Sequence, residues 1–123
     1  QRILMFKLIT DDTGIPIGDG KVIFPIPSAL NGFNLVEAQA AVTTVSSSGK
    51  PTYQLRNVTD GFDMLSTKIS IDATEFTSYT ASIPPVIDPT HDDVATGDLI
   101  AIDKDVAGTG EKGDTIMLTF EHP

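Results

Sequence analysis

The sequence predicts an all-β fold, an antiparallel β-sandwich of jelly-roll type with about eight strands. Three observations carry that expectation. Apolar and polar residues alternate with a period of two in several short runs, the spacing of a strand with one buried face. Turn-forming residues interrupt those runs about every 8 to 12 residues, drawing on 10 glycines and 8 prolines. No stretch joins an N-cap to a sustained helical stripe of apolar residues.

Taken in order, RILMFKLIT (2–10) is a compact apolar run and the first expected strand. DDTGIPIGDG (11–20) supplies turn residues. Its GDG at 18–20 reads as a hairpin turn rather than a phosphate loop, because no helix N-terminus follows. KVIFPIP (21–27) is a strand that Pro25 and Pro27 confine to an edge or cut short. After an Asn31–Gly32 turn, FNLVEAQAAVTTV (33–45) has two readings. LVEAQAAV holds good helix formers, but the β-branched VTTV that follows at once favours a strand. In that strand Val36, Ala38, Ala40, Val42 and Thr44 share one parity, as a tightly packed inner face would.

SSSGKP (46–51) is a connection, and TYQLRNV (52–58) and MLSTKISID (64–72) alternate cleanly around the turn TDGFD (59–63). EFTSYTASI (75–83) reads as a weaker, Ser/Thr-rich strand, and PPVIDPTHDDVATG (84–97) as a long loop. DLIAIDKDV (98–106) and DTIMLTF (114–120) are expected to close the chain as a hairpin around AGTGEKG.

A length of 123 residues suits one domain, residues 1–123. The net charge is −9, and the eight basic residues are scattered singly, which argues against nucleic-acid binding and against an anionic membrane surface. No apolar run approaches the ~20 residues of a membrane-spanning helix. Without cysteine there is neither a disulfide framework nor a thiolate metal site. The chain starts at Gln1 rather than Met, as a processed product or an excised domain would.

The acidic stretch 88–114 holds the candidate chemistry. In DKDVAGTGEKGD, Asp103, Asp105 and Gly108 stand at positions 1, 3 and 6 of a twelve-residue calcium loop. Position 5 is Ala107, and position 12 is Asp114 where a bidentate glutamate belongs. With strands as flanks an EF-hand is excluded, leaving a non-EF calcium site of Asp103, Asp105 and Asp114. The competing and preferred reading is carboxylates on the solvated face of a strand, with no cofactor. His91, Asp92 and Asp93 lack a nucleophile for a triad, and His122 is the one other histidine available to zinc. THDDVATGD is therefore expected to be a loop with Asx-type self-bonding, and a hydrolase using carboxylates from 88–105 is disfavoured. Asn57-Val58-Thr59 matches a glycosylation acceptor pattern too short to carry weight. Phe33, Tyr53, Phe62, Phe76 and Tyr79 offer a sugar-binding platform only if exposed, and at least half are expected in the core.

Three blocks resemble a known group: GDGKVIFPIPSALNGFNLVEAQAAV (18–42), TYQLRNVTDGFDMLSTKISIDATE (52–75) and PPVIDPTHDDVATGDLIAIDKDVAGTGEKGDTIMLTF (84–120). They look like small, mostly uncharacterised proteins encoded among the structural genes of tailed bacteriophages. The resemblance spans nearly the whole chain and implies a non-enzymatic virion component at the particle surface. A capsid decoration or head-fibre protein is expected, with a tail-fibre module binding host-surface carbohydrate as the alternative. It implies other virion proteins as partners and a homo-oligomer, a trimer by preference. It brings no catalytic residues with it. Its shared residues are mostly turns and strand ends.

Overall fold

A computed structural model describes residues 2–8 and 13–123. The end of the first expected strand, Ile9 and Thr10, and the turn residues Asp11 and Asp12 lie outside the described residues. Ten strands are present among the described residues. Six are long: β1 (Arg2–Lys7), β2 (Gly18–Pro25), β3 (Asn34–Ala41), β4 (Thr52–Asn57), β9 (Leu99–Val106) and β10 (Thr115–Glu121). Four have only two or three residues: β5 (Phe62–Asp63), β6 (Leu65–Thr67), β7 (Ile69–Ser70) and β8 (Val86–Ile87). Short 3-10 turns occupy Ser28–Leu30 and Ser78–Thr80.

The fold is all-β and sandwich-like, with every strand pair antiparallel. One sheet has the order β1-β10-β3, and the other β2-β9-β4-β5 with β7 also paired to β4. A small β6-β8 pair forms a ladder of its own. Leu35, Ala38, Ala40, Ile116, Leu118 and Phe120 from the first sheet share one buried cluster with Tyr53, Leu55, Ile100 and Ile102 from the second. At one margin Phe6 of β1 stacks on Phe24 of β2, ring centroids 4.3 Å apart.

Residues 34–41 form a strand, as the β-branched residues after them suggested, but the inward face differs from the simple alternation. Thr119 pairs with Glu37 and Phe120 with Leu35, so Val36 is an extra residue, a β-bulge. The bulge switches parity: Leu35 points inward before it, Ala38, Ala40 and Val42 after it, and Val36 is exposed.

Three further expectations are corrected. β9 and β10 do not form a hairpin; each is an interior strand of a different sheet. The chain between them pairs with residues 43–48 instead of with itself. Thr43 N–H donates to the Lys112 carbonyl (2.8 Å) and Thr109 N–H to that of Ser48 (2.9 Å). β10 thereby gains two partners, β1 and β3, where a terminal hairpin would supply one. Residues 75–83 also do not form a strand. Their one ladder contact is the bridge Ala41–Thr77, after which Ser78 turns the chain into a 3-10 segment. Ser78 Oγ donates to Gln39 Oε1 (2.5 Å) and accepts the Ala40 N–H (2.8 Å). A serine side chain thus covers the β3 edge in place of another strand.

The GDG at 18–20 is likewise not a hairpin turn. It opens β2 at an irregularity in its pairing with β9, where Gly20 has a φ of 63°. Glycine supplies positive φ as expected, but for a strand distortion.

Candidate functional site

β9 presents opposite chemistry on its two faces. Ile100, Ile102 and Lys104 alternate into the core, while Asp103 and Asp105 project the other way. The three carboxylates considered for calcium are therefore not brought together, because Asp114 meets Lys104 on the inner side. Each is matched by a cation instead. Asp103 takes a two-point contact from Arg56, with Nε to Oδ2 at 3.0 Å and Nη2 to Oδ1 at 3.2 Å. Its Oδ1 also accepts the Gly20 N–H at 2.7 Å, tying β2, β9 and β4 together. Asp105 pairs with Lys68 Nζ at 2.9 Å. The hydrogen bonds to Asp103 and Asp105 hold the Arg56 and Lys68 side chains above their ordinary pKa values. Among the described residues, no group of three or more His, Cys, Asp or Glu side chains is placed to hold a metal ion.

The rest of the acidic stretch is bound into its own loop, as Asx chemistry predicts. Asp88 Oδ1 accepts the Thr90 hydroxyl (2.7 Å) and N–H (3.0 Å), which together lower its pKa. Asp98 Oδ2 accepts the Ala95 N–H (3.0 Å) and Asn57 Nδ2–H (3.1 Å) at the entry to β9. Asp92 and Asp93 meet β3 through their backbones, the Asp92 carbonyl accepting Leu35 N–H and Asp93 bridging Asn34. His91 stacks on Phe62 at 4.0 Å, whereas His122 lies edge-on to Phe33 at 5.2 Å. Asn57 is buried with its side chain spent on Asp98 and Asp60, so it is a turn anchor and not a glycan acceptor.

The cluster that sequence reasoning missed surrounds Lys104. Its ammonium is wholly buried, 2.7 Å from Oδ2 of the equally buried Asp114 and 3.5 Å from Glu111 Oε2. The Tyr53 hydroxyl donates to the same Asp114 oxygen. Asp114 Oδ1 has no hydrogen-bond partner among the described residues. Glu111 is held in place by the Gly108 N–H, 2.6 Å from its Oε2. Burial, reinforced by the Asp114 and Glu111 carboxylates, pushes the Tyr53 phenol far above its ordinary pKa. Deleting Asp114 would leave the buried ammonium with only the longer Glu111 contact, a loss of about 3–5 kcal/mol. The signal available in the sequence was parity: Lys104 shares that of Ile100 and Ile102, so a lysine stood on an apolar face.

Of the five aromatics weighed for sugar binding, Tyr53 is buried and Phe33 half-buried. Phe62, Phe76 and Tyr79 are each at least half exposed, more than the core expectation allowed. A shallow groove beside the β3 bulge is lined by Val36, Gln39, Pro85 and Val86. No described helix is long and apolar enough to cross a membrane. No family model, curated protein or solved structure matches the chain significantly.

Proposed function

We propose that this chain is a non-enzymatic structural protein of a tailed-phage virion, a capsid decoration or head-fibre module docked by one face to the particle surface. One observation carries the reading. The side chains of the acidic stretch best suited to acid–base or metal chemistry are spent on the scaffold: Asp98 on a loop, Asp103 on Arg56, Asp105 on Lys68 and Asp114 on Lys104. The blocks that resemble phage structural proteins coincide with such features: the Gly20 irregularity, the Gly32 and Gly61 turns and the Asp98 loop. Residues of this kind maintain a shape.

The docking face in this reading is apolar. Ile23 and Leu99 are exposed on the outer side of the β2-β9 pair, and Val58, hydrogen-bonded to the Leu99 carbonyl, extends them. A symmetric oligomer, a trimer by preference, would repeat this face and multiply weak contacts on a lattice. The alternative, a tail-fibre module binding host carbohydrate, draws on the exposed Phe62 ring stacked on His91, since sugars pack on such surfaces. Co-sedimentation with purified capsids and a glycan array separate the two. Capsid binding that Ile23→Asp abolishes, with no glycan retained, is expected. Specific glycan binding lost in Phe62→Ala, without capsid binding, would replace the decoration reading with the alternative.

A further inference from the structure

The Lys104 cluster has the composition and spacing of a self-modifying site. A buried amine touches a buried carboxyl at 2.7 Å, and a second carboxyl stands 3.5 Å from the same nitrogen. Reacting groups held in contact and out of water gain the large advantage of an intramolecular reaction. As an ion pair the arrangement is poorly completed. A buried carboxylate repays its desolvation only when its remaining lone pairs are satisfied, yet Asp114 Oδ1 has no donor among the described residues. Both hydrogen bonds converge on Oδ2, one from Lys104 and one from Tyr53. That polarises one oxygen of the carboxyl and leaves the other as a bare acceptor, the asymmetry of a leaving hydroxyl beside a retained carbonyl.

We propose that Lys104 and Asp114 condense spontaneously to an intramolecular isopeptide bond, with Glu111 as the proton carrier. A proton passes from the ammonium to Asp114 Oδ2 along their hydrogen bond, giving a neutral amine and acid. Nζ then adds to Cγ, forming the C–N bond. Glu111 takes a second proton from the nitrogen and returns it to the departing Oδ2, which leaves as water when its bond to Cγ breaks. The ammonium and carboxylate are thus converted to one amide and one water, and Glu111 ends as it began. No oxidant, metal or second molecule is consumed. Tyr53 donates to the departing oxygen and, in its neutral form, stays a donor throughout. Condensation removes two buried charges, while Glu111 keeps the Gly108 N–H. The new bond joins β9 of one sheet to the start of β10 in the other, across residues only ten apart in sequence.

Mass spectrometry of the purified, denatured wild-type chain tests this directly. The expected intact mass is one water below that of the sequence. Because an acylated Lys104 resists trypsin, residues 69–112 and 113–123 should be recovered as one branched fragment joined through Lys104 and Asp114. Glu111→Gln should keep the full mass of its own sequence while its circular dichroism matches wild type. A full wild-type mass after prolonged incubation of the folded protein would overturn the proposal. So would a water deficit that fragmentation places at a succinimide of Asp19–Gly20 or Asp60–Gly61. An equal deficit in Glu111→Gln would remove Glu111 from its role as proton carrier.

Discussion

Asp72 Oδ2 accepts the Ser82 N–H at 2.8 Å, and Lys50 Nζ approaches its Oδ1 at 3.3 Å. These contacts favour the ionised carboxylate, the backbone N–H most and Lys50 next, so its pKa lies below the ordinary 3.8. A depressed folded value means that the unfolded chain binds the proton more readily. The contribution of Asp72 to stability is therefore fully present above pH 3.8 and is lost as pH falls through the lower folded value. Asp88, lowered by Thr90, acts with the same sign. Urea midpoints measured between neutral and acid pH should fall less steeply for Asp72→Asn than for wild type. An acid limb unchanged by the substitution would show that the contact does not bear on stability. Asp114 differs in kind: it is buried against Lys104 and is not capped by exposed backbone donors. The same residue type thus caps loops, pairs on a strand face or lines a buried cluster, according to which face and which sheet its position reaches.

Among the connections between elements, the turn into β10 is tightly specified. Gly113 has a φ of 72°, and a Cβ there would meet Thr43 Oγ1 at 2.1 Å. Its N–H donates to the Thr13 carbonyl at 2.9 Å, so the backbone has little freedom to move away. Gly113→Ala is expected to lose about 1–3 kcal/mol, read from the urea midpoint. Gly61→Ala, at a φ of 77° with open space around the missing Cβ, should lose only about 1 kcal/mol. The reverse order would mean that Thr43 yields and that the turn is not clamped. These turns were visible in the sequence, as were the six long strands, because alternation and turn residues are local properties. Pairing is not local. Nothing within DLIAIDKDV or DTIMLTF states that β9 and β10 belong to different sheets; that depends on which strands need a second partner. The Val36 bulge was hidden for the same reason, since one residue of slippage against β10 decides which parity faces inward. Ser78 misled in another way, because Ser/Thr-rich segments suit both an edge strand and a side-chain-capped turn. For the site, the acidic residues were legible as a stretch, but not their partners. Arg56 and Lys68 lie 47 and 37 positions from Asp103 and Asp105 respectively, and only the folded sheet joins them.

At the scale of the whole molecule, the interior is shared rather than divided between sheets. Leu118 is fully buried on β10, and Tyr53 is fully buried on β4 in the opposite sheet; both belong to one cluster of apolar side chains. Close-packed interiors transmit the loss of a side chain to everything that rests on it, and domains of this size usually unfold in one step. Leu118→Ala should therefore lower stability by about 2–5 kcal/mol and do so at both sheets together. Near-ultraviolet circular dichroism provides the test, because Tyr53 is one of only two tyrosines and the chain has no tryptophan. With Tyr79→Phe as background, the remaining tyrosine signal reports the packing between the sheets, where the Tyr53 hydroxyl meets Asp114, while far-ultraviolet circular dichroism reports the strands of both. In Leu118→Ala the two signals should shift to the same lower urea midpoint. If the Tyr53 signal were lost at a lower midpoint than the far-ultraviolet signal, the sheets would be separating before their strands unfold. The sandwich would then be two loosely associated layers. The proposed docking on a symmetric particle needs the first behaviour, since a layer that peels away exposes the apolar inner faces of both sheets to neighbouring copies.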